Sequence, residues 1–96
     1  MRRIRSNIPM LLSWVLSFAM AKYSRNQEFI DLFGKNLRKI REQKNISQEE
    51  LAYRADLQLS QIGRIERGTQ NTSNSMTYTI AKALDVHVKE LFDFDV

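Results

Sequence analysis

Cysteine is absent from this 96-residue chain, which removes disulfides, thiolate nucleophiles and cysteine-ligated metals. His87 is the lone histidine, so a zinc site or a Ser-His-Asp triad would rest on one residue with nothing to support it. One proline and three glycines leave few tight turns, which disfavours a small β-sandwich or barrel and favours helices. The sequence also lacks a Gly-rich phosphate loop, an internal repeat and a low-complexity linker. Its length suits one small domain and falls short of a doubly wound sheet or a barrel. These absences argue against an enzyme, and neither a cofactor nor a metal is expected.

The charge that is present is unevenly placed. Fifteen Lys+Arg stand against eleven Asp+Glu, a net +4. Arg2, Arg3, Arg5, Lys22 and Arg25 lie in the first 25 residues with no acid among them, and residues 26–96 are left with ten basic and eleven acidic residues. The high pI therefore belongs to the N-terminal tail, and nucleic-acid binding has to be argued from local geometry. Lys35, Arg38, Lys39, Arg41 and Lys44 crowd one stretch, while Asp85, Glu90, Asp93 and Asp95 crowd the C-terminal end. Such a polarised domain can orient on a polyanion, although charge runs are often only solvated faces.

Residues 1–21 read as a unit apart. After the arginines, Ile8 to Ala21 form an apolar run ending Ala19-Met20-Ala21, the layout of a secretory signal peptide. The run is short of the about 20 residues that a membrane-crossing helix needs. It also fits an amphipathic helix packing on the domain or a partner, or a membrane-surface anchor. Alternatively, Met20 is the true start and residues 1–19 are upstream sequence read in frame. The choice between a start-site extension, a packing helix and a signal peptide depends on what residues 26–96 do.

From residue 26 onward the pattern is helical. Phe29, Phe33, Leu37 and Ile40 form the apolar stripe of a first helix that stops near Asn45. Ser47-Gln48-Glu49-Glu50 fits a capping box opening a second helix, whose narrow apolar face is Leu51, Ala52 and Ala55. Asp56 stands at a tight corner that needs a left-handed backbone, followed by Leu57. A third helix over Ser60 to Glu66 carries Ile62 and Ile65 inward and stops at Gly68. Ser73 caps a fourth through Met76, Ile80, Ala83 and Leu84, broken by Asp85 and Val86, and Val88 to Phe92 form a last short helix with His87 near its cap. Tyr53 and Tyr78 are expected to pack.

Two short helices joined by a tight corner, with Ala52, Ile62 and Ile65 at the fifth, fifteenth and eighteenth positions from Gln48, make a helix-turn-helix. Gln48-Glu49-Glu50-Leu51-Ala52 through Ile62-Gly63-Arg64-Ile65-Glu66-Arg67-Gly68 resembles the Cro/repressor-type, or xenobiotic-response-element (XRE), family of regulators. The resemblance extends through Ile80-Ala81-Lys82-Ala83-Leu84 and Lys89-Glu90-Leu91-Phe92, covering about residues 29–94. It implies an all-α, compact five-helix repressor-like domain over residues 26–96, with residues 1–21 as an extra apolar segment.

The resemblance also implies site residues. The third helix would lie in the major groove with Gln58, Leu59, Ser60 and Arg64 at base edges, Arg64 suited to guanine O6 and N7 and Leu59 to a thymine methyl. Gln48, Thr69, Asn71, Lys44 and Arg67 would meet phosphates. Each has a plainer alternative: Leu59 as a displaced core residue, Arg64 paired with a neighbouring acid, and Gln48 and Ser60 as ordinary first-turn residues. Arg41 and Glu66 would form a structural ion pair locking the third helix to the first. Departures from the family pattern are Asp56 and Asp85 where Gly is common, Gln58 where a Ser or Thr cap is common, and Gly63 within the third helix. The implied function is that of a cytoplasmic prokaryotic transcriptional regulator binding double-stranded DNA as a homodimer, with no ligand-sensing domain. The family includes antitoxins and restriction-modification controllers, between which these residues do not choose. A protein-interaction module with weak or no specific DNA binding is the alternative, favoured modestly by the near-neutral domain and by Leu59. A membrane-tethered regulator held by residues 8–21 ranks last.

Overall fold

The computed structural model describes residues 11–15 and 26–96. Residues 11–15 are helical and exposed. The remainder of the apolar N-terminal run lies outside the described residues, and so does the choice among its readings. Residues 26–96 form α1 (Gln27–Gln43), α2 (Gln48–Ala55), α3 (Leu59–Arg67), α4 (Asn74–Leu84) and a short 3-10 helix (Val88–Phe92). No strand occurs among the described residues, and the fold is the all-α, five-helix arrangement expected.

Four helix ends close in the same way. Asn45, Asp56, Gly68 and Asp85 have positive φ, at 58°, 55°, 79° and 57°. Only one of the four is glycine; the short polar side chains of Asn and Asp make the left-handed backbone tolerable at the others. The amide after each reaches back to the last turn: Ile46 N to Arg41 O, Leu57 N to Ala52 O, Thr69 N to Arg64 O and Val86 N to Ala81 O, at 2.9–3.1 Å. Ile46, Leu57 and Val86 then pack on the core, the apolar contact that accompanies this type of stop.

The helix starts differ in part from expectation. Ser47 Oγ accepts from Glu50 N at 3.0 Å, but the Glu50 carboxylate pairs with Arg54 at 2.9 Å instead of returning to the cap. The reciprocal half of that capping box is therefore replaced by an ion pair one turn along the helix. Conversely, α3 has the reciprocal half of a capping box: Gln61 Oε1 accepts from Gln58 N at 2.9 Å. The 3-10 helix repeats the device, with Glu90 Oε2 accepting from His87 N at 3.1 Å.

Leu37, Leu51, Ile62, Ile65, Ile80, Leu84 and Leu91 are fully buried and join all five helical elements in one core. Each such side chain contributes about 1.5–3 kcal/mol relative to exposure. Ala52 and Ala81 are buried among them. Three expectations need correcting. In α1, Ile30 is buried in place of Phe29, and Ile40 is only half-buried. Phe29 instead stacks at the domain edge on Phe92 and meets Phe94 at a tilt, with centroids 6.1 and 5.3 Å away, partners that a helical period cannot reveal. In α4 the inward face is Thr77, Ile80, Ala81 and Leu84, flanked by half-buried Met76 and Ala83. Tyr53 and Tyr78 do not pack inside: they are exposed, the latter with the Lys82 ammonium over its ring.

Two features bring α3 against α1. Gly34 has no side chain, and a Cβ there would overlap the Ile65 carbonyl and lie 2.8 Å from that of Glu66. At the other end, Gln27 Nε2 donates to Gly68 O at 2.7 Å. The 3-10 helix is tied to α1 by buried Asn36, whose amide donates to Glu90 O and Leu91 O at 2.8 and 2.9 Å.

Candidate nucleic-acid interface

Helix α3 has two unlike faces because its apolar residues recur at three and its polar residues at four. Ile62 and Ile65 point into the core beside Glu66. The Glu66 carboxylate collects three donors: Arg41 Nε at 2.7 Å, Arg41 Nη2 at 3.0 Å and Gln48 Nε2 at 2.9 Å. Arg41 also donates from Nη1 to Ile46 O at 2.9 Å. Both charged residues are buried, and the pair is fork-shaped, with every charged atom hydrogen-bonded. The hydrogen bond to Glu66 outweighs desolvation and raises the Arg41 pKa above its ordinary value, so the guanidinium remains charged at any usable pH. The ion pair expected from the resemblance is therefore present, and it fastens α3 to α1 and α2.

The opposite face carries the candidate base-contacting residues. Gln58 is the exposed N-cap, Leu59 and Ser60 are the first two residues of α3, and Arg64 follows Ser60 by one turn on the same side. Leu59 is 45% exposed. Among the described residues Arg64 pairs with no acid: its Nε donates to Gln70 Oε1 at 3.2 Å. Gly63 lies under the Arg67 side chain, with Nη1 2.9 Å from where a Cβ would stand.

The candidate phosphate-contacting residues are spread more widely. Arg67 ends α3 and is exposed. Thr69 is held to that helix end, its hydroxyl donating to Arg64 O at 3.2 Å. Gln48 opens α2 half-buried and spends one amide hydrogen on Glu66, which leaves it a second. Lys44 and Asn71 are exposed in the corners before α2 and after α3, and no side-chain hydrogen bond ties either to the other candidates among the described residues. Gln70, Gln61 and Asn36 were not singled out from the sequence. Gln61 could have been found as the third residue of its helix; Gln70 lies six residues from Arg64 across a helix stop, a spacing that carries no signal. Among the described residues no group of three or more His, Asp or Glu is placed to hold a metal.

An α2–corner–α3 unit with a locked inner face and a polar outer face defines a helix-turn-helix regulator. The helix-turn-helix family profile matches residues 37–91, and the chain belongs to that family. It is 50% identical over 64 residues to control protein C.BamHI of Bacillus amyloliquefaciens, covering 66% of this chain and 79% of that one. It is 36% identical over 61 residues to control protein C.SmaI of Serratia marcescens, covering 64% and 73%. Among solved structures, the restriction-modification controller C.AhdI from Aeromonas hydrophila superposes with a TM-score of 0.65 at 41% identity, covering 66% of this chain and 96% of that chain. The controller C.Esp1396I gives a TM-score of 0.64 at 31% identity, covering 68% and 84%.

Proposed function

We propose that this chain is a homodimeric, sequence-specific DNA-binding regulator and, of the kinds the family resemblance leaves open, a restriction-modification controller. The single observation that carries the DNA reading is the division of α3 into a face fixed by Ile62, Ile65 and the Arg41–Glu66–Gln48 cluster and a face exposing Ser60 and Arg64 one turn apart. A helix so held can enter a major groove as a rigid reader. Gln58, Leu59, Ser60 and Arg64 meet base edges, with Arg64 donating to a guanine. Gln48, Thr69, Asn71, Lys44 and Arg67 meet the phosphate backbone and fix register. Homodimerisation follows from the short reach of one recognition helix: a few base pairs do not specify a site, and two-fold proteins read two half-sites one helical turn apart. The controller reading is supported by 50% and 41% identity to proteins of that description. The protein would then act where the DNA is, with residues 26–96 as the binding domain and residues 1–19 dispensable.

The test is selection of bound fragments from genomic DNA by the full chain at rising salt. The expected result is a short two-fold motif whose affinity falls steeply with salt. Recovery of fragments without sequence preference would replace this reading with the protein-interaction module.

A further inference from the structure

We propose that Gln70, which lies beyond the helix-turn-helix, is a positioning residue for base recognition: it occupies Arg64 Nε and so commits the guanidinium to reading a guanine end-on, through Nη1 and Nη2. The proposal rests on the assignment of Arg64 to a base edge.

A guanidinium is a planar fork of five N–H donors with two bidentate edges, one formed by Nε with a terminal nitrogen and one by the two terminal nitrogens. This protein uses the first edge at Arg41, where Nε and Nη2 grip the Glu66 carboxylate at 2.7 and 3.0 Å. At Arg64 that edge is taken, because Nε donates to Gln70 Oε1 at 3.2 Å. Four N–H groups remain on the terminal nitrogens, and guanine presents O6 and N7 as adjacent acceptors in the major groove.

Gln70 is itself held. Its amide nitrogen lies 3.7 Å from Met76 Sδ on α4, so its carbonyl end is the one turned toward Arg64. The preceding residue is anchored to the same place: Thr69 N and Oγ1 both donate to Arg64 O, at 2.9 and 3.2 Å. The backbone of Arg64 thus fixes the loop that in turn fixes the Arg64 side chain. A long exposed arginine would otherwise lose much rotamer freedom on meeting a base, and the contact with Gln70 removes part of that loss before DNA arrives.

The experiment uses the full chain and a duplex selected by it from a random pool. Arg64→Ala first identifies the guanine whose preference it loses, and that guanine is then replaced by adenine and by 7-deazaguanine. Gln70→Leu, which removes the acceptor and keeps bulk, is expected to lower discrimination at that one position by about three- to tenfold, the worth of one hydrogen bond. The salt slope, the preference at other positions and the melting temperature should not move. Gln70→Glu keeps the acceptor and should keep the guanine preference, even if its charge lowers affinity uniformly. Gln70→Ala provides the same test if the leucine variant misfolds. Undiminished discrimination in Gln70→Leu, with Arg64→Ala still losing the guanine, overturns the positioning role alone. A uniform loss across sequences, with no change specific to that guanine, makes Gln70 a neutral backbone contact and also overturns it. If Arg64→Ala leaves every preference intact, the base assignment fails and takes this proposal with it.

Discussion

Removing the Glu66 carboxylate should cost far more than removing any other acid of the domain. Glu66→Ala strands the charge of Arg41, a residue 8% exposed, and deprives three donors of their acceptor. Breaking a buried pair from one side typically costs about 3–5 kcal/mol, because the remaining charge keeps its desolvation penalty and loses its compensation. The exposed pairs Arg38–Glu42 and Arg54–Glu50 provide the comparison. As helix pairs one turn apart, they are worth about 0.3–0.5 kcal/mol each. At about 0.05–0.15 kcal/mol per residue the folded domain has roughly 4–10 kcal/mol in all, so Glu66→Ala alone should remove around half of it. The double variant Arg41→Met, Glu66→Leu strands no charge and should recover most of the loss, leaving chiefly the unpaired Gln48 amide and Ile46 carbonyl. Urea unfolding of the full chain followed by circular dichroism measures the wild type, Arg41→Met, Glu66→Leu and the double variant, the four corners of one cycle, beside Glu66→Ala. A Glu66→Ala cost below about 1 kcal/mol, in the range of a surface pair, or strictly additive single and double variants, would refute the claim that this pair is what holds α3 in place.

Arg64→Glu should abolish sequence-specific binding while leaving the urea curve of the wild type, and Arg64→Ala should cost about 1–3 kcal/mol at the cognate guanine; gel-shift titration beside an unfolding curve separates the two effects. Lys44→Ala and Arg67→Ala should each flatten the slope of log affinity against log salt by about 1 per protomer, without altering base preference. Gly34→Ala and Gly63→Ala should move in opposite directions. The first drives a methyl into the Ile65 and Glu66 carbonyls and separates α1 from α3, whereas the second meets only the flexible end of Arg67 and should stabilise by roughly 1 kcal/mol through helix propensity; thermal melts compare them directly. Asn36→Ala leaves the Glu90 and Leu91 carbonyls without their donor and should destabilise by about 1–3 kcal/mol, read from the urea midpoint.

The helix-turn-helix was legible because its determinants are local or periodic. Ala52, Ile62 and Ile65 fall at spacings that only two helices at a tight corner can bury together, and Ser47, Ser73 and Gly68 mark helix ends by their own chemistry. The left-handed corner was readable at Asp56 even without glycine, whereas Asp85 was legible only as a helix stop and its left-handed backbone emerged with the structure. The family resemblance brought Arg41 and Glu66 together across 25 positions, a distance over which periodicity says nothing. Contacts between elements remained hidden. Phe29 looked like core because it lies in phase with Phe33, yet Phe92 and Phe94 draw it to the edge. Glu50 looked like a capping residue, yet Arg54 offers it a stronger, charged partner. Asn36 and Gln70 act through carbonyls and side chains of other elements, and no spacing along the chain encodes those meetings.

The two faces of α3 draw on different residues, and this separation allows one scaffold to be re-addressed. Ile62, Ile65 and Glu66 are committed to the interior, whereas Gln58, Leu59, Ser60 and Arg64 are exposed. Substitutions on the outer set should therefore add independently of those on the inner set. On the proposed base contacts, a library varied at Leu59, Ser60 and Arg64 would keep nearly one unfolding free energy while its members spread over different DNA targets, so a new binding site is reachable without giving up the fold.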